Sequence, residues 1–270
     1  MDEQINRIAL AQKLVHPDET LTQLRSGGLQ LIQAEKGYRF SLDPVLLAHF
    51  VTIKPGERVL DMGCGCGVIA LLLARRVKDS EVVGVEVQAQ QADRARRNVR
   101  LNALEARVQI EVGDIRTWGQ GQEDEFERVV CNPPFRASCQ GRISRGEERR
   151  VSRHEIHGAL RDFVRIGAQL LRKDGTLSMV HLPERLADIM LEMRTCGVEP
   201  KRMRMVHSRS AEGARLVLIE GRRHGRPGLE VEAPLYIYAD DGDGGEPEGT
   251  EGRAPQRNYT VEVAGYYDFC

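Results

Sequence analysis

The stretch that decides the fold is Val59-Leu60-Asp61-Met62-Gly63-Cys64-Gly65-Cys66-Gly67, a short apolar run that ends in three alternating glycines. The apolar part is typical of a buried strand, and residues 68–77 have the composition of a buried helix. Glycines between a strand and a helix let the backbone turn sharply and approach a ligand closely. The stretch therefore predicts a ligand-binding turn at the carboxyl end of a strand.

Outward from this turn, short apolar stretches alternate with helical ones. Strands are predicted at 58–62, 81–87, 107–112, 128–131 and 175–182, and helices at 68–77, 88–101, 154–171 and 186–193. Such alternation indicates a parallel sheet with right-handed crossovers. Two further strands, 202–207 and 215–220, have no helix between them and predict an antiparallel hairpin at one edge. The expected fold is α/β, with a seven-stranded, mostly parallel sheet.

Both ends of the chain depart from this pattern. Residues 1–52 are predicted to form an N-terminal extension that packs on the catalytic domain, with a small hairpin in 21–41 and a helix that opens at Asp43-Pro44. The main domain would span 53–239 and include an alternating stretch at 229–238. Residues 240–258 are rich in Gly, Asp, Glu and Pro, which predicts a disordered acidic linker. Residues 259–270 regain apolar character and would dock back on the body.

Acidic side chains lie at the ends of the first three strands of the expected sheet. Asp61 lies two residues before the first glycine, Glu86 lies near the end of the second strand, and Asp114 follows the third. Such acids can accept hydrogen bonds from ribose hydroxyls and from the adenine amino group of an adenosine. Two cofactors remain open here. Residues 65–70 fit the GxGxxA variant of the dinucleotide fingerprint, and Asp61 fits the signature for S-adenosylmethionine (SAM).

The fourth strand ends in Asn132-Pro133-Pro134-Phe135. Consecutive prolines cannot continue a sheet ladder, and they hold the Asn132 side chain and the Pro133 carbonyl in place. Two fixed acceptors can bind both hydrogens of a planar amino group and point its nitrogen at a methyl sulfonium, while Phe135 stacks on the flat group. This segment favours methyl transfer to nitrogen. It would have no role in a nicotinamide-dependent oxidoreductase.

Together these motifs resemble the class I SAM-dependent N-methyltransferases, and among them the bacterial tRNA1(Val) adenine-37 N6-methyltransferase family with its NPPY/F motif. The resemblance runs from about residue 28 to 238 and implies a Rossmann-like class I methyltransferase fold with SAM as the cofactor. It implies as catalytic residues Asn132, Pro133, Pro134 and Phe135, and as cofactor-binding residues Asp61, Gly63, Gly65, Gly67, Glu86, Asp114, Ser41 and Asp43. The family commonly has tyrosine at Phe135, whereas related guanine-N2 methyltransferases also use phenylalanine.

A basic segment follows this motif. Residues 136–165 carry eight arginines against four acids. Arginine binds phosphates and stacks on bases, so contacts to RNA are predicted for Arg136, Arg142, Arg145, Arg149, Arg150 and Arg153. Basic runs at 201–204 and 222–226 could extend this footprint. The net charge of −1 does not oppose it, because six acids lie in 240–251 and the remaining chain carries +5.

Several protein classes are excluded by composition. The longest apolar run has seven residues, far below the roughly 20 of a membrane-spanning helix, and the N-terminus lacks a signal-peptide pattern. The six cysteines show no CxxC spacing, so we expect no metal site and free thiols in the cytoplasm. The predicted function is methylation of adenine N6 in tRNA by a monomer. The alternatives are rRNA guanine N2, DNA adenine N6 or a protein glutamine amide as acceptor, and a non-catalytic RNA-binding module.

Overall fold

A computed structural model describes residues 10–24, 29–36, 41–121, 123–134, 160–240 and 258–267 of the chain. The strands are β1 (Glu19–Gln23), β2 (Gln30–Ala34), β3 (Arg58–Met62), β4 (Glu81–Glu86), β5 (Val108–Val112), β6 (Phe126–Cys131), β7 (Leu171–His181), β8 (Val198–His207), β9 (Ala214–Arg223), β10 (Glu230–Val231) and β11 (Leu235–Tyr236). The helices are α1 (10–14), α2 (Asp43–Phe50), α3 (Val68–Arg76), α4 (Ala89–Leu101), α5 (Ile115–Trp118), α6 (160–170), α7 (Leu186–Thr195) and α8 (Val261–Tyr266).

The main sheet has the strand order β10-β8-β9-β7-β6-β3-β4-β5, with β11 also paired to β8. Strands β3 to β7 are parallel to one another, and β9 runs antiparallel to both β7 and β8. The predicted class I fold with an antiparallel edge hairpin is confirmed. The main sheet has nine strands where seven are predicted, because the stretch at 229–238 adds β10 and β11. Pro234 interrupts that stretch, since proline has no amide hydrogen for a ladder.

Helices cover both faces of the sheet. Alternate residues of β3 point to opposite faces, so Val59 belongs to the core formed with α2, α3, α4 and α8, whereas Leu60 belongs to the core formed with α6 and α7. Both side chains are fully buried. This three-layer arrangement holds the carboxyl ends of the parallel strands rigidly along one edge, where the loops that follow them meet.

A separate two-stranded sheet, β1–β2, docks on α4. Its anchor is Glu19, whose Oε1 accepts hydrogen bonds from Arg94 Nε at 2.8 Å and from Arg97 Nη2 at 2.7 Å. Burial alone raises the pKa of Glu19, but hydrogen bonds from Arg97, the His16 amide and Arg94 outweigh it and lower the pKa to about 2. The hairpin is therefore held by charged groups that are almost fully buried.

The last described segment, 258–267, packs against α2 and the end of β8. Val263 on α8 is fully buried, and the Tyr266 ring stacks on His49 of α2 with the ring centroids 4.3 Å apart. Tyr259 forms an isolated bridge with Tyr238. Within the described ranges, no helix has the length and apolar character needed to cross a bilayer.

Candidate active site

The glycine loop between β3 and α3 has the backbone conformation that its composition predicts. Gly63, Gly65 and Gly67 have φ angles of +70°, +54° and +86°. A side chain is strained in this region of φ. A Cβ on Gly67 would also lie 3.3 Å from Cβ of Ala95 on α4. The loop thus exposes backbone between a strand end and the first turn of a helix, where amide groups point outward.

Asp61 lies beneath this loop and is completely buried. Its Oδ2 accepts a hydrogen bond from the Ala70 amide at 3.2 Å, whereas Oδ1 is buried with no partner among the described residues. Burial, with a further contribution from the charge of Glu86, raises the pKa of Asp61 to about 7. The site therefore contains a carboxyl oxygen that can accept one more hydrogen bond.

Glu86 ends β4 and connects the loop to α4. Its Oε2 accepts the Gly65 amide at 2.9 Å, and its Oε1 accepts the Gln88 amide at 2.9 Å. Each carboxylate oxygen has a second lone pair, so both can also accept ribose hydroxyls. The carboxylate thus holds the loop in shape while its acceptor capacity is only half used.

Asp114 follows β5 at the same edge and caps α5. Its Oδ1 accepts the Arg116 amide at 3.0 Å. The Arg116 side chain, which hydrogen-bonds to both carboxylate oxygens, holds the pKa of Asp114 below its usual range. Asp114 is therefore charged at neutral pH and half-exposed, although Arg116 competes for the acceptor sites that an adenine amino group would use.

Ser41 and Asp43 precede and begin α2. The Asp43 amide donates to Ser41 Oγ at 3.3 Å, and burial raises the pKa of the Asp43 carboxyl. The helix begins at Asp43, where the sequence expects it to open, so Asp43 is its first residue and not the residue that caps it. Leu42 takes that position, because its carbonyl already accepts the amides of Val45 and Leu46. The cofactor contacts of Ser41 and Asp43 stay predictions.

Asn132, Pro133 and Pro134 follow β6, the strand next to β3. Met62 and Cys131 are register partners, so Asn132 begins where the glycine loop begins on the adjacent strand. Asn132 is half-buried, Pro133 buried and Pro134 exposed, and no described residue hydrogen-bonds to the Asn132 side chain. Its amide oxygen is consequently an acceptor beside the loop.

On the other side of β6, His181 ends β7. Burial, together with the charge of Arg185, lowers the pKa of His181 to about 4, and its Nδ1 accepts the Leu182 amide at 2.8 Å. The imidazole is therefore neutral at pH 7, with its unprotonated nitrogen occupied. It is not placed to act as a general base.

The remaining predicted site residues lie outside the described residues. These are Phe135, Arg136, Arg142, Arg145, Arg149, Arg150 and Arg153. The basic run 201–204 lies within the described residues. Arg202 pairs with Glu232 at 3.1 Å, and Arg204 pairs with Glu262 at 2.6 Å. These two arginines bind their own chain, so the structure gives no support for an RNA contact there.

Sequence reasoning missed Asn98 on α4. Its side chain is fully buried and hydrogen-bonds to both the glycine loop and β2. A usable signal was present: asparagine is a poor helix former, yet Asn98 lies within the predicted helix 88–101 and Asn102 follows one turn later.

The strand order, the glycine loop after β3 and the Asn-Pro-Pro turn after β6 define a class I methyltransferase fold. The family described as methyltransferase small domain matches residues 42–193, just over half of the chain. The chain belongs to this family. The predicted membership of a methyltransferase family is therefore confirmed.

Relatives of the chain share a more specific name. The chain is 35% identical over 146 residues to a tRNA1(Val) (adenine(37)-N6)-methyltransferase from Cronobacter sakazakii, covering 53% of this chain but only 57% of the relative. A protein of the same name from Vibrio parahaemolyticus is 27% identical over 220 residues, covering 77% of this chain and 84% of that one. A crystal structure described as a predicted O-methyltransferase from Agrobacterium tumefaciens superposes with a TM-score of 0.64 at 21% identity, covering 84% and 96% of the two chains. At that identity the likeness shows the fold alone.

Proposed function

We propose that the protein transfers a methyl group from SAM to the N6 amine of an adenine in tRNA in the cytoplasm. The observation that carries the proposal is the Asn132-Pro133-Pro134 turn at the end of β6, directly beside the glycine loop of β3. It sets an acceptor for amino hydrogens next to a cofactor loop. The name shared by the relatives supports adenine 37 of tRNA1(Val) as the acceptor.

The loop residues fit SAM. Asp61 Oδ1 is a buried acceptor to which nothing in the described part of the chain donates. A Cβ at Gly67 would press on Ala95, so only bare backbone fits there. Glu86 would accept the ribose hydroxyls, and Asp114 would accept the adenine amino group. Ser41 and Asp43 would close over the methionine end. When bound, SAM supplies an electrophilic methyl group on a positively charged sulfur.

The residues of this chain act on the acceptor by positioning. Asn132 Oδ1 and the Pro133 carbonyl accept the two hydrogens of the adenine amine and turn its nitrogen toward the methyl group. As the nitrogen becomes positive, both fixed dipoles stabilise the developing charge. The extra proton becomes acidic only after methylation, so no strong base is required. The neutral, occupied His181 is consistent with this.

A polyanionic acceptor also needs positive charge near the site. We propose that the arginines of 136–153 bind the phosphates and that Phe135 stacks on the flipped base. Because phenylalanine in place of tyrosine also occurs in guanine-N2 methyltransferases, guanine N2 is the second candidate acceptor.

The test uses SAM with a tritiated methyl group, purified protein and total RNA from a strain that lacks the gene. Label in N6-methyladenosine from the tRNA fraction is the expected result. Label in N2-methylguanosine would keep the mechanism and replace the acceptor, and RNA without label would overturn the assignment to RNA.

Variants of Asn132 test the mechanism in the same assay. Asn132→Ala removes an acceptor and should lower kcat by about 100-fold or more, with SAM binding retained. Asn132→Asp keeps two acceptor oxygens and should retain much more activity than the alanine variant. Equal activity of wild type and Asn132→Ala would refute the role of Asn132.

A further inference from the structure

One face of α4 lies between the glycine loop and the N-terminal hairpin. Three residues that recur at intervals of three and four share this side: Ala95 and Asn98 on the helix, and Asn102, which caps its C-terminus. Ala95 contacts Gly67 of the loop. Both asparagines hydrogen-bond to the edge of β2 that does not pair with β1. The two asparagines therefore supply the hydrogen bonds that a third strand would otherwise give to this edge.

Asn98 uses every hydrogen of its amide. Its Oδ1 accepts the Ile32 amide at 2.6 Å. Its Nδ2 donates to the Ile32 carbonyl at 3.1 Å and to the Cys66 carbonyl at 2.9 Å. The side chain is fully buried, so no water replaces these bonds if they are lost. One amide thus joins β2 to the middle of the glycine loop.

Asn102 repeats this pattern one helical turn later, without the loop contact. Its Oδ1 accepts the Gln30 amide at 2.9 Å, and its Nδ2 donates to the Gln30 carbonyl at 2.7 Å and to the Asn98 carbonyl at 2.8 Å. Both asparagines therefore make the same pair of bonds to β2. They differ in the third bond, which only Asn98 makes to the loop.

Asn98 adds a second hydrogen bond to a peptide of the loop whose N–H, on Gly67, already donates to the Cys64 carbonyl at 2.8 Å. Cys66 lies between Gly65 and Gly67, and glycine leaves the adjoining peptide planes free to rotate at little steric cost. The Gly65 amide is held by Glu86, and the Cys66 carbonyl by Asn98. We propose that Asn98 is a positioning residue for SAM, which fixes the peptide between Cys66 and Gly67 in the conformation that the cofactor binds. The inference rests on the proposed function only in taking SAM as the ligand of the loop.

The hairpin has anchors that do not depend on Asn98. Glu19 keeps its bonds to Arg94 and Arg97, and Asn102 keeps those to Gln30. Loss of the Asn98 amide should therefore loosen the loop while the hairpin remains docked.

The experiment compares Asn98→Ala and Asn102→Ala in the full chain, with Asn98→Asp as a second variant that keeps the shape and the acceptor for the Ile32 amide. Isothermal titration with SAM gives Kd, and hydrogen exchange of β2 reports the hairpin. Both alanine variants should increase β2 exchange. Only the Asn98 variants should raise Kd, by about fivefold, as expected for one lost hydrogen bond. In the transfer assay KM for SAM should rise equally, with kcat unchanged at saturating SAM.

Two results would overturn the inference. The first is a wild-type Kd in both Asn98 variants. The second is an equal rise of Kd in Asn102→Ala, which would place the effect in the hairpin as a whole. Since Kd is measured without RNA, a wrong acceptor leaves this test intact, whereas a wild type that binds no SAM would refute the proposed function itself.

Discussion

Burial of Asp61 beneath the glycine loop predicts that SAM affinity depends on pH near neutrality. Burial, with the charge of Glu86, raises the Asp61 pKa to about 7 in the unliganded protein. SAM carries a sulfonium and an ammonium group, and a nearby positive charge stabilises the carboxylate and lowers its pKa. Binding therefore releases a proton from Asp61 when the pH is below about 7.

The magnitude follows from the charged fraction of Asp61. With a pKa of about 7, about 3% of the carboxyl groups are charged at about pH 5.5, and about half at pH 7. If the cation binds well only to the charged form, the apparent affinity scales with this fraction. Kd for SAM should then fall about fifteenfold as the pH rises from about 5.5 to about 7. Above pH 7 the ammonium group of SAM begins to titrate, which ends the useful range.

The assay is calorimetric titration of SAM across this range, in two buffers with different ionisation enthalpies so that released protons are counted. Asp61→Asn should remove the slope. Asp114→Asn is the matched control, because the hydrogen bonds from Arg116 lower the pKa of Asp114 and keep it charged throughout. That variant can weaken binding but should keep the slope. A wild-type Kd that changes less than twofold, or the same slope in Asp61→Asn, would refute the reasoning.

Two further predictions concern stability. Glu19→Gln leaves two buried arginines with one acid fewer. The Glu19 pKa is lowered from 4.5 to about 2, which corresponds to about 3 kcal/mol of folding stability. This stability is present above pH 4.5 and is lost as the pH falls to about 2. Hydrogen exchange of β1 and β2 at neutral pH should accelerate about a hundredfold; Glu125→Gln, which breaks a surface pair, should leave it unchanged. In Gly84→Ala the new Cβ would lie 2.7 Å from Ile110 Cδ1, which should cost about 1–3 kcal/mol in thermal denaturation. The control Gly213→Ala meets nothing within 4 Å, and equal stability of the two variants would contradict this account.

The parts of the site that follow from local sequence could be predicted. The bounds of β3 are those expected, because the loop that follows it contains three glycines that end the strand. The same holds for the Asn-Pro-Pro turn, since two prolines must end a strand wherever it lies in the sheet. The common edge of Asp61, Glu86 and Asn132 then follows from the topology of parallel strands.

The parts of the site that depend on residues distant in the sequence could not be predicted. The run 201–204 is a cluster of basic residues in the sequence, but its arginines pair with Glu232 and Glu262, which lie 30 and 58 residues further along the chain. Local charge counting cannot find such pairs. Asn98 likewise contacts Ile32 and Cys66, at sequence separations of 66 and 32 residues. Only the docking of the hairpin on α4 shows what its amide does.

The raised pKa of Asp61 connects stability to function. Because the folded protein holds this proton more tightly than the unfolded chain, the free energy of unfolding of the unliganded protein falls as the pH rises from about 4 to 7. A change from 3.8 to about 7 corresponds to about 4 kcal/mol. A cation bound beside the carboxylate recovers part of this energy. The Oδ1 atom, which has no partner within the described ranges, therefore destabilises the charged form of the free protein, and a positively charged cofactor gains binding energy by relieving this. A neutral ligand of the same shape would not.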